Sequence, residues 1–344
     1  MAAMSCLPAE RFRCNRKAIH VSSAKWKSCC WTNSRQEAKD CMKICTLFNG
    51  RAGRAQAIGP QVKQLAERDG FCWIAIDQLQ TDEELIEIVE RERPERVILV
   101  GGDGTISRSL SILSRPSDLQ FGIVPTGTGN DLARSLDIPL GNIEAAWNLA
   151  VSGQAKAMDI LETSIDEPRL LMNAVTAGIG GVVAEEIQTE MKETYGALAY
   201  WMSAFSVLSD PPVFRIRLTL DQQHVIEEEA YAFCVANGRC AGGGFVIAPN
   251  AQLNDGKIHV TVLPALSTIE MFESGINFVL TNEDAEQRIV TYNAEEVEFE
   301  ASPEIPCSLD GEKATFATLK FRIVPGARMV VGGPNAAFAR NTSS

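Results

Sequence analysis

Val97-Ile98-Leu99-Val100-Gly101-Gly102-Asp103-Gly104-Thr105 is the stretch from which the rest of the chain can be read. Four apolar residues run directly into a glycine turn, and a segment with helical spacing, Ile106 to Leu113, follows. A short buried strand that ends in glycines at a helix start has the geometry of a phosphate site. Glycines let backbone N–H groups approach an anion without interference from a Cβ. The helix dipole adds partial positive charge at the same point. Asp103 does not suit a bare phosphate, because like charges repel. It needs a bridging cation, a ribose hydroxyl or a place in a hydrogen-bond network. A structural βα turn would also accept these glycines. Neither GxxxxGK[ST] nor GxGxxG fits the spacing.

Toward the N-terminus, Ile44–Phe48 reads as a strand, followed by the basic turn Asn49-Gly50-Arg51-Ala52-Gly53-Arg54 and a helical stretch, Ala57–Arg68. Phe71–Ile76 is the next strand. Asp82–Arg93 has helical spacing in Leu85, Ile86 and Val89, with acids in its first turn as the helix dipole prefers, and Pro94 stops it. On the other side, the strand Phe121–Val124 leads into Pro125-Thr126-Gly127-Thr128-Gly129-Asn130-Asp131-Leu132-Ala133-Arg134. Strands alternating with helices predict a mostly parallel sheet, whose ligands bind beyond the carboxyl ends of the strands. Three glycine turns would converge on that edge. Asn130 or Asp131 is also placed to cap a helix through Leu136.

Beyond Val151 the texture changes. Strand-like runs cover Leu170–Val175, Val213–Leu220, Val225–Asn237, Lys257–Leu263, Glu296–Ala301 and Ala314–Val324, separated by Asp/Gly/Pro turns. This pattern predicts an antiparallel β-sandwich. Helical insertions are expected at Val182–Lys192, Ala197–Leu208 and Ser267–Phe278. Taken alone, Asn254-Asp255-Gly256 is a hairpin turn, and Asp310-Gly311 is a type I′ turn.

GGDGT at 101–105, PTGTGNDLAR at 125–134, NAVTAGIGG at 173–181 and VANGRCAGGGFVIAPNAQLNDGKIHVTV at 235–262 together resemble the diacylglycerol kinase catalytic domain family. That family includes soluble bacterial lipid kinases and is related to sphingosine kinases and, more distantly, NAD kinases. The resemblance covers roughly Ile44 to Val331. It implies an α/β nucleotide-binding domain with a phosphofructokinase-like, mostly parallel sheet, and a C-terminal β-sandwich domain. The boundaries expected are an extension over 1–40, the first domain over 41–152, the sandwich over 153–331 and a tail over 332–344. The end of the sandwich would pack back toward the first domain.

The resemblance also implies roles. ATP would be held by Asn49, Gly53, Gly101, Gly102, Asp103, Gly104, Thr105 and Thr128. Asp131 would join Asp103 in ordering Mg²⁺ and its water near the γ-phosphate. A structural magnesium would sit at Gln252, Asp255 and Lys257, partly on backbone carbonyls. Glu312, in the DGE segment, would be the general base. The activity implied is transfer of the γ-phosphate of ATP to a lipid hydroxyl, with diacylglycerol giving phosphatidic acid. A sphingoid base, phosphatidylglycerol or a soluble alcohol are alternative acceptors, and a nucleotide-binding regulator without turnover is the rival from another class. Two departures stand out. The family's N-P-x-S-G is Asn49-Gly50-Arg51-Ala52-Gly53 here, and its Leu-Asn-Glu after GGDGT is Ile106-Ser107-Arg108.

Composition bounds the partners. The 344 residues carry a net charge of −12, which argues against general nucleic-acid binding. Contact with an anionic membrane would need a local basic patch or apolar insertion. No stretch approaches the roughly 18–20 apolar residues of a membrane span. The longest candidate, Gly196–Leu208, reads as a core helix or as one wall of a lipid site. Six of ten cysteines fall in the first 45 residues without a CxxC pair, and the others read as reduced thiols. The first 35 residues hold seven Lys/Arg and one acid. They suit a transit peptide, a disordered extension or an unused upstream start. A cytoplasmic protein is expected, peripheral at a membrane where it meets its lipid, with organelle targeting and a homodimer left open.

Overall fold

The computed structural model describes residues 42–51, 54–113, 118–164, 168–179, 212–265 and 290–339. Gly53, the first 41 residues and the expected helices at 182–192, 197–208 and 267–278 lie outside the described residues. The first domain runs β1 (Ile44–Phe48), α1 (Ala55–Asp69), β2 (Cys72–Ala75), α2 (Asp82–Glu92), β3 (Arg96–Gly101), α3 (Asp103–Ile112), β4 (Gln120–Pro125), α4 (Asp131–Ser135) and α5 (Ile143–Ser152). The second runs β5 (Ala155–Ser164), β6 (Pro168–Leu171), β7 (Ala174–Gly178), β8 (Phe214–Leu220), β9 (His224–Ala236), β10 (Cys240–Ala241), β11 (Phe245–Val246), β12 (Ile258–Pro264), β13 (Val290–Ala294), β14 (Glu296–Leu309) and β15 (Glu312–Val331).

Every residue of β3 is buried, as a strand covered on both faces requires. β3 pairs in parallel with β1 on one side and β4 on the other, and β2 flanks β1. Leu47, Ile98, Leu99, Ile106, Leu110, Phe121 and Trp147 fill the core around this sheet. α2 forms where its signals predict. Thr81 accepts the Glu84 amide as N-cap, three acids occupy the first turn, and Arg93 ends the helix in a left-handed conformation before Pro94.

Strand pairing is continuous across the two domains, since β15 returns to lie parallel to β4 through Met329↔Gln120 and Val330↔Phe121. In the sandwich, β7 pairs β9, β9 pairs β8, β8 pairs β14, and β14 returns to β7. The two faces are therefore joined in a ring. β14 makes this possible by changing partner: residues 297–302 pair with β8 and 307–309 with β7, with an irregularity between Glu300 and Ile305. Phe233 meets Phe299 edge-to-face and Phe299 stacks on Phe321 through the interior, with ring centroids 4.9 and 6.2 Å apart.

Arg96 is a polar anchor in the first core. It is buried, and its guanidinium donates to the carbonyls of Ala150, Val151 and Gly153 at the end of α5 and to Gln120 Oε1. These are orphan carbonyls of a helix C-terminus, satisfied by a cation that also suits the dipole. Arg96→Ala strands them, and urea unfolding should record a loss of about 3 kcal/mol.

Candidate active site

β1 leads to β2 on one side, whereas β3 leads to β4 on the other. The chain thus switches direction between β1 and β3, and such a switch opens a crevice at the carboxyl ends of the strands. The turn after β1 and the glycine turn after β3 meet there. Asn49 Nδ2 donates to Thr105 Oγ1 at 2.8 Å, and the Asn49 amide reaches Val100 O at 3.2 Å. The third turn, after β4, touches the second through bare backbone. A Cβ on Gly127 would stand 2.8 Å from Gly102 Cα, and the Thr126 amide bonds Gly101 O at 2.8 Å. All three turns converge on one edge.

Asn130 does not cap α4 with its side chain. Its backbone is left-handed (φ 54°), and its amide group closes the preceding loop instead, taking Gly127 N–H at 3.0 Å and donating to Gly127 O at 2.8 Å. This conformation aims the Asn130 N–H at Asp103 Oδ2, 2.6 Å away. The other oxygen, Asp103 Oδ1, is buried with no hydrogen-bond partner. Burial and the nearby charge of Asp131 push the Asp103 carboxyl up to about 6, against the pull of the amides at the head of α4.

Asp131 is held from the second domain. Its carboxylate accepts the amides of Gly243, at 3.1 and 3.0 Å, and Gly244, at 2.5 Å. Gly242, Gly243 and Gly244 all have positive φ (66°, 89° and 107°), so successive N–H groups face one concavity. Gly129 is confined between the partners. A Cβ there would lie 2.9 Å from Asp103 Oδ2 and 3.3 Å from Gly243 Cα.

The remaining residues fall around this centre. Gly104 and Thr128 are exposed on its rim. Arg108, standing where the related family has an acid, pairs with Asp82 at 2.8 Å at the start of α2. Ser107 donates from α3 to Asp310 Oδ2 at 2.6 Å, which brings the β14–β15 turn to the helix that begins with Asp103. Glu312 follows that turn; its side chain is 74% exposed and pairs with Arg169 at 2.8 Å. Sequence reasoning missed Arg169 and saw Asp310 only as a turn residue. The glycine triplet at 242–244 was visible, but not that it grips Asp131.

Gln252, Asp255 and Lys257 lie on the turn before β12. Asp255 already accepts the Lys257 amide at 3.0 Å and meets His259 Nε2 at 3.0 Å, while Lys257 Nζ pairs with Glu295 at 2.7 Å. A cation at this turn would share Asp255 with His259. Among the described residues no group of three or more His, Cys, Asp or Glu side chains is arranged to hold a metal ion. The chemistry at Asp103 and Asp131 is different. Two facing carboxylates, one with a buried orphan oxygen, fit a hard cation of the Mg²⁺ type that takes its other ligands from phosphate and water.

A glycine-lined crevice at the switch point of a parallel sheet, gripped by an antiparallel sandwich, is the architecture of two-domain kinases of the diacylglycerol kinase and NAD kinase type. The fold agrees with a crystal structure of a diacylglycerol kinase from Bacillus anthracis (TM-score 0.62, 20% identity, covering 86% of this chain and 98% of that one). It also agrees with yeast NADH kinase complexed with NADH (TM-score 0.50, 12% identity, 87% and 86%). Residues 43–163 match the diacylglycerol kinase catalytic domain, and residues 173–332 match the YegS C-terminal NAD kinase beta sandwich-like domain. The two matches together cover most of the chain, and the first places residues 43–163 in the diacylglycerol kinase catalytic domain family. It is similar to proteins named "Probable lipid kinase YegS-like" from Pseudomonas aeruginosa (29% identity, 84% of this chain, 93% of the relative) and Pectobacterium atrosepticum (27%, 82% and 93%).

Proposed function

We propose that this chain is an ATP-dependent lipid kinase and that its acceptor is diacylglycerol, which it converts to phosphatidic acid. The observation that carries the reading is the meeting of three glycine turns around the Asp103–Asp131 pair, with the Glu312 hairpin tied to the same helix. Phosphoryl transfer asks for aligned phosphates, neutralised charge and a carboxylate to take a proton. In this reading the backbone amides of 101–105 and the turn at 126–130, with Asn49, Gly53 and Thr128, hold the nucleotide. Asp103 and Asp131 would hold Mg²⁺, which supplies charge neutralisation on the phosphates when bound. Glu312 takes the proton of the acceptor hydroxyl as its oxygen bonds to the γ-phosphorus and the bond to the β-phosphate oxygen breaks. Its pairing with Arg169 is exposed and so worth little, which leaves the carboxylate able to turn to a substrate.

The lipid reading rests on family membership and on the names of the relatives. Among the described residues no helix is long and apolar enough to cross a membrane. The encounter proposed is at a membrane surface. The structural magnesium at Gln252, Asp255 and Lys257 stays a proposal beside it, made through Asp255 and backbone carbonyls. An acceptor panel tests the substrate. With labelled ATP and Mg²⁺, diacylglycerol in mixed micelles should yield labelled phosphatidic acid faster than a sphingoid base, phosphatidylglycerol or glycerol yields product. A faster reaction with any of those would replace diacylglycerol as the acceptor.

A further inference from the structure

We infer that Asp310 and Ser107 are positioning residues that set the Glu312 hairpin against the phosphate loop. The inference rests on the reading of Glu312 as base and adds the means by which it is placed. Four donors converge on the Asp310 carboxylate. Oδ2 accepts Ser107 Oγ at 2.6 Å and the Met172 amide at 2.7 Å; Oδ1 accepts the amides of Asn173 and Ala174, both at 3.1 Å. The Asp310 amide returns a bond to Ala174 O at 3.1 Å. A type I′ turn needs none of this, since asparagine or glycine would serve the turn equally well. Asp310 and Gly311 do adopt its positive φ values, 46° and 96°, but the side chain reaches partners 138 and 203 residues away in sequence.

The geometry gives those bonds a purpose. Ser107 stands four residues after Asp103 on α3, so the two share a face about 6 Å apart along the axis. A single carboxylate therefore links the helix that carries Asp103 to the hairpin that carries Glu312. A second contact runs alongside, from Ser111 Oγ on α3 to Leu170 O at 3.2 Å on β6. The residue before Leu170 is Arg169, the partner of Glu312. α3, β6 and the hairpin thus form a closed circuit. Loss of Ser107 leaves Asp310 with its three amide donors, so the fold should survive while the register of the hairpin against α3 loosens.

The test compares Ser107→Ala, Ser107→Thr, Asp310→Asn and Glu312→Gln with wild type, reading kcat, KM for ATP and the thermal midpoint. Ser107→Ala should lower kcat roughly tenfold with KM for ATP within about twofold, because misplacement of a reacting group acts on the chemical step. Ser107→Thr, which keeps the hydroxyl, should restore kcat. Asp310→Asn, which offers an NH₂ to donors, should lose about a hundredfold. A wild-type kcat in Ser107→Ala, beside an inactive Glu312→Gln, overturns the positioning role and leaves the base in place. A fall in Ser107→Ala matched by a lower thermal midpoint and not rescued by threonine also overturns it. Full activity in Glu312→Gln removes the base and, with it, the inference.

Discussion

Glu312→Gln should lower phosphoryl transfer by about 10³-fold while folding and ATP binding stay as in wild type. Glutamine keeps the size of the side chain and removes its ability to hold a proton. The structural cost is small because Glu312 and Arg169 are 74% and 36% exposed, and an ion pair open to water contributes little. Steady-state transfer, nucleotide binding and thermal unfolding, measured on one preparation, separate these effects. A variant that binds ATP but transfers slowly places Glu312 in the chemical step. One that transfers at the wild-type rate shows that the acceptor proton leaves by another route.

The second large effect belongs to Asp103→Asn, and it has two opposite parts. Transfer should fall by at least about 10³-fold, because the proposed metal loses a charged ligand where negative charge must be neutralised. Stability, by contrast, should rise at neutral pH. The Asp103 carboxyl titrates near 6 in the fold, above its ordinary value of 3.8, because it is buried beside Asp131. The folded state therefore binds more protons than the unfolded state between these values. The folded protein loses stability as pH rises through that window, and the penalty is complete above it. Asparagine carries no charge and keeps an oxygen for the Asn130 amide. At pH 8 the variant should melt about 2–4 °C higher than wild type, and the gain should vanish near pH 4. A gain that is independent of pH would contradict this origin. Such a trade of stability for function is common where a charge is held partly out of water.

Much of the first domain was legible because its signals are local. β3 is an unbroken apolar run, α2 has a Thr81 cap and three leading acids, and each glycine turn follows a strand. The boundary of α3 moved because Gly102 acts as the N-cap in extended conformation and Asp103 and Gly104 already belong to the helix. Helix α5 was passed over, although Asn142 caps it by accepting the Ala145 amide. Some strands of the sandwich, such as β8, β9 and β12, were readable from the sequence, but β5 and β13 were passed over, the expected strand Leu170–Val175 breaks between β6 and β7, and no strand's partners were readable. Alternation states which face is buried, and cannot show that β14 leaves β8 for β7 halfway along.

The site was legible as a set of turns and only partly as a set of contacts. Asn130 illustrates the limit. Its place before a helix suggests a cap, yet a left-handed backbone turns its side chain to Gly127 and its amide to Asp103. Asp310 illustrates it further, since its donors lie on α3 and just before β7. Contacts between distant segments follow from how the domains dock, which no local pattern encodes. Arg108 shows the converse. Sequence shows only that a base replaces the acid of the related family after the glycine turn, and the structure engages that base with Asp82.

The most direct measurement is the fate of the γ-phosphate. Wild-type protein, ATP labelled at that position, Mg²⁺ and a total lipid extract are incubated together, and the organic phase is counted and resolved. The expected result is label in a phospholipid, absent when the protein carries Glu312→Gln. ATP that binds while no label leaves it for any lipid would contradict the assignment and indicate a nucleotide-binding regulator instead.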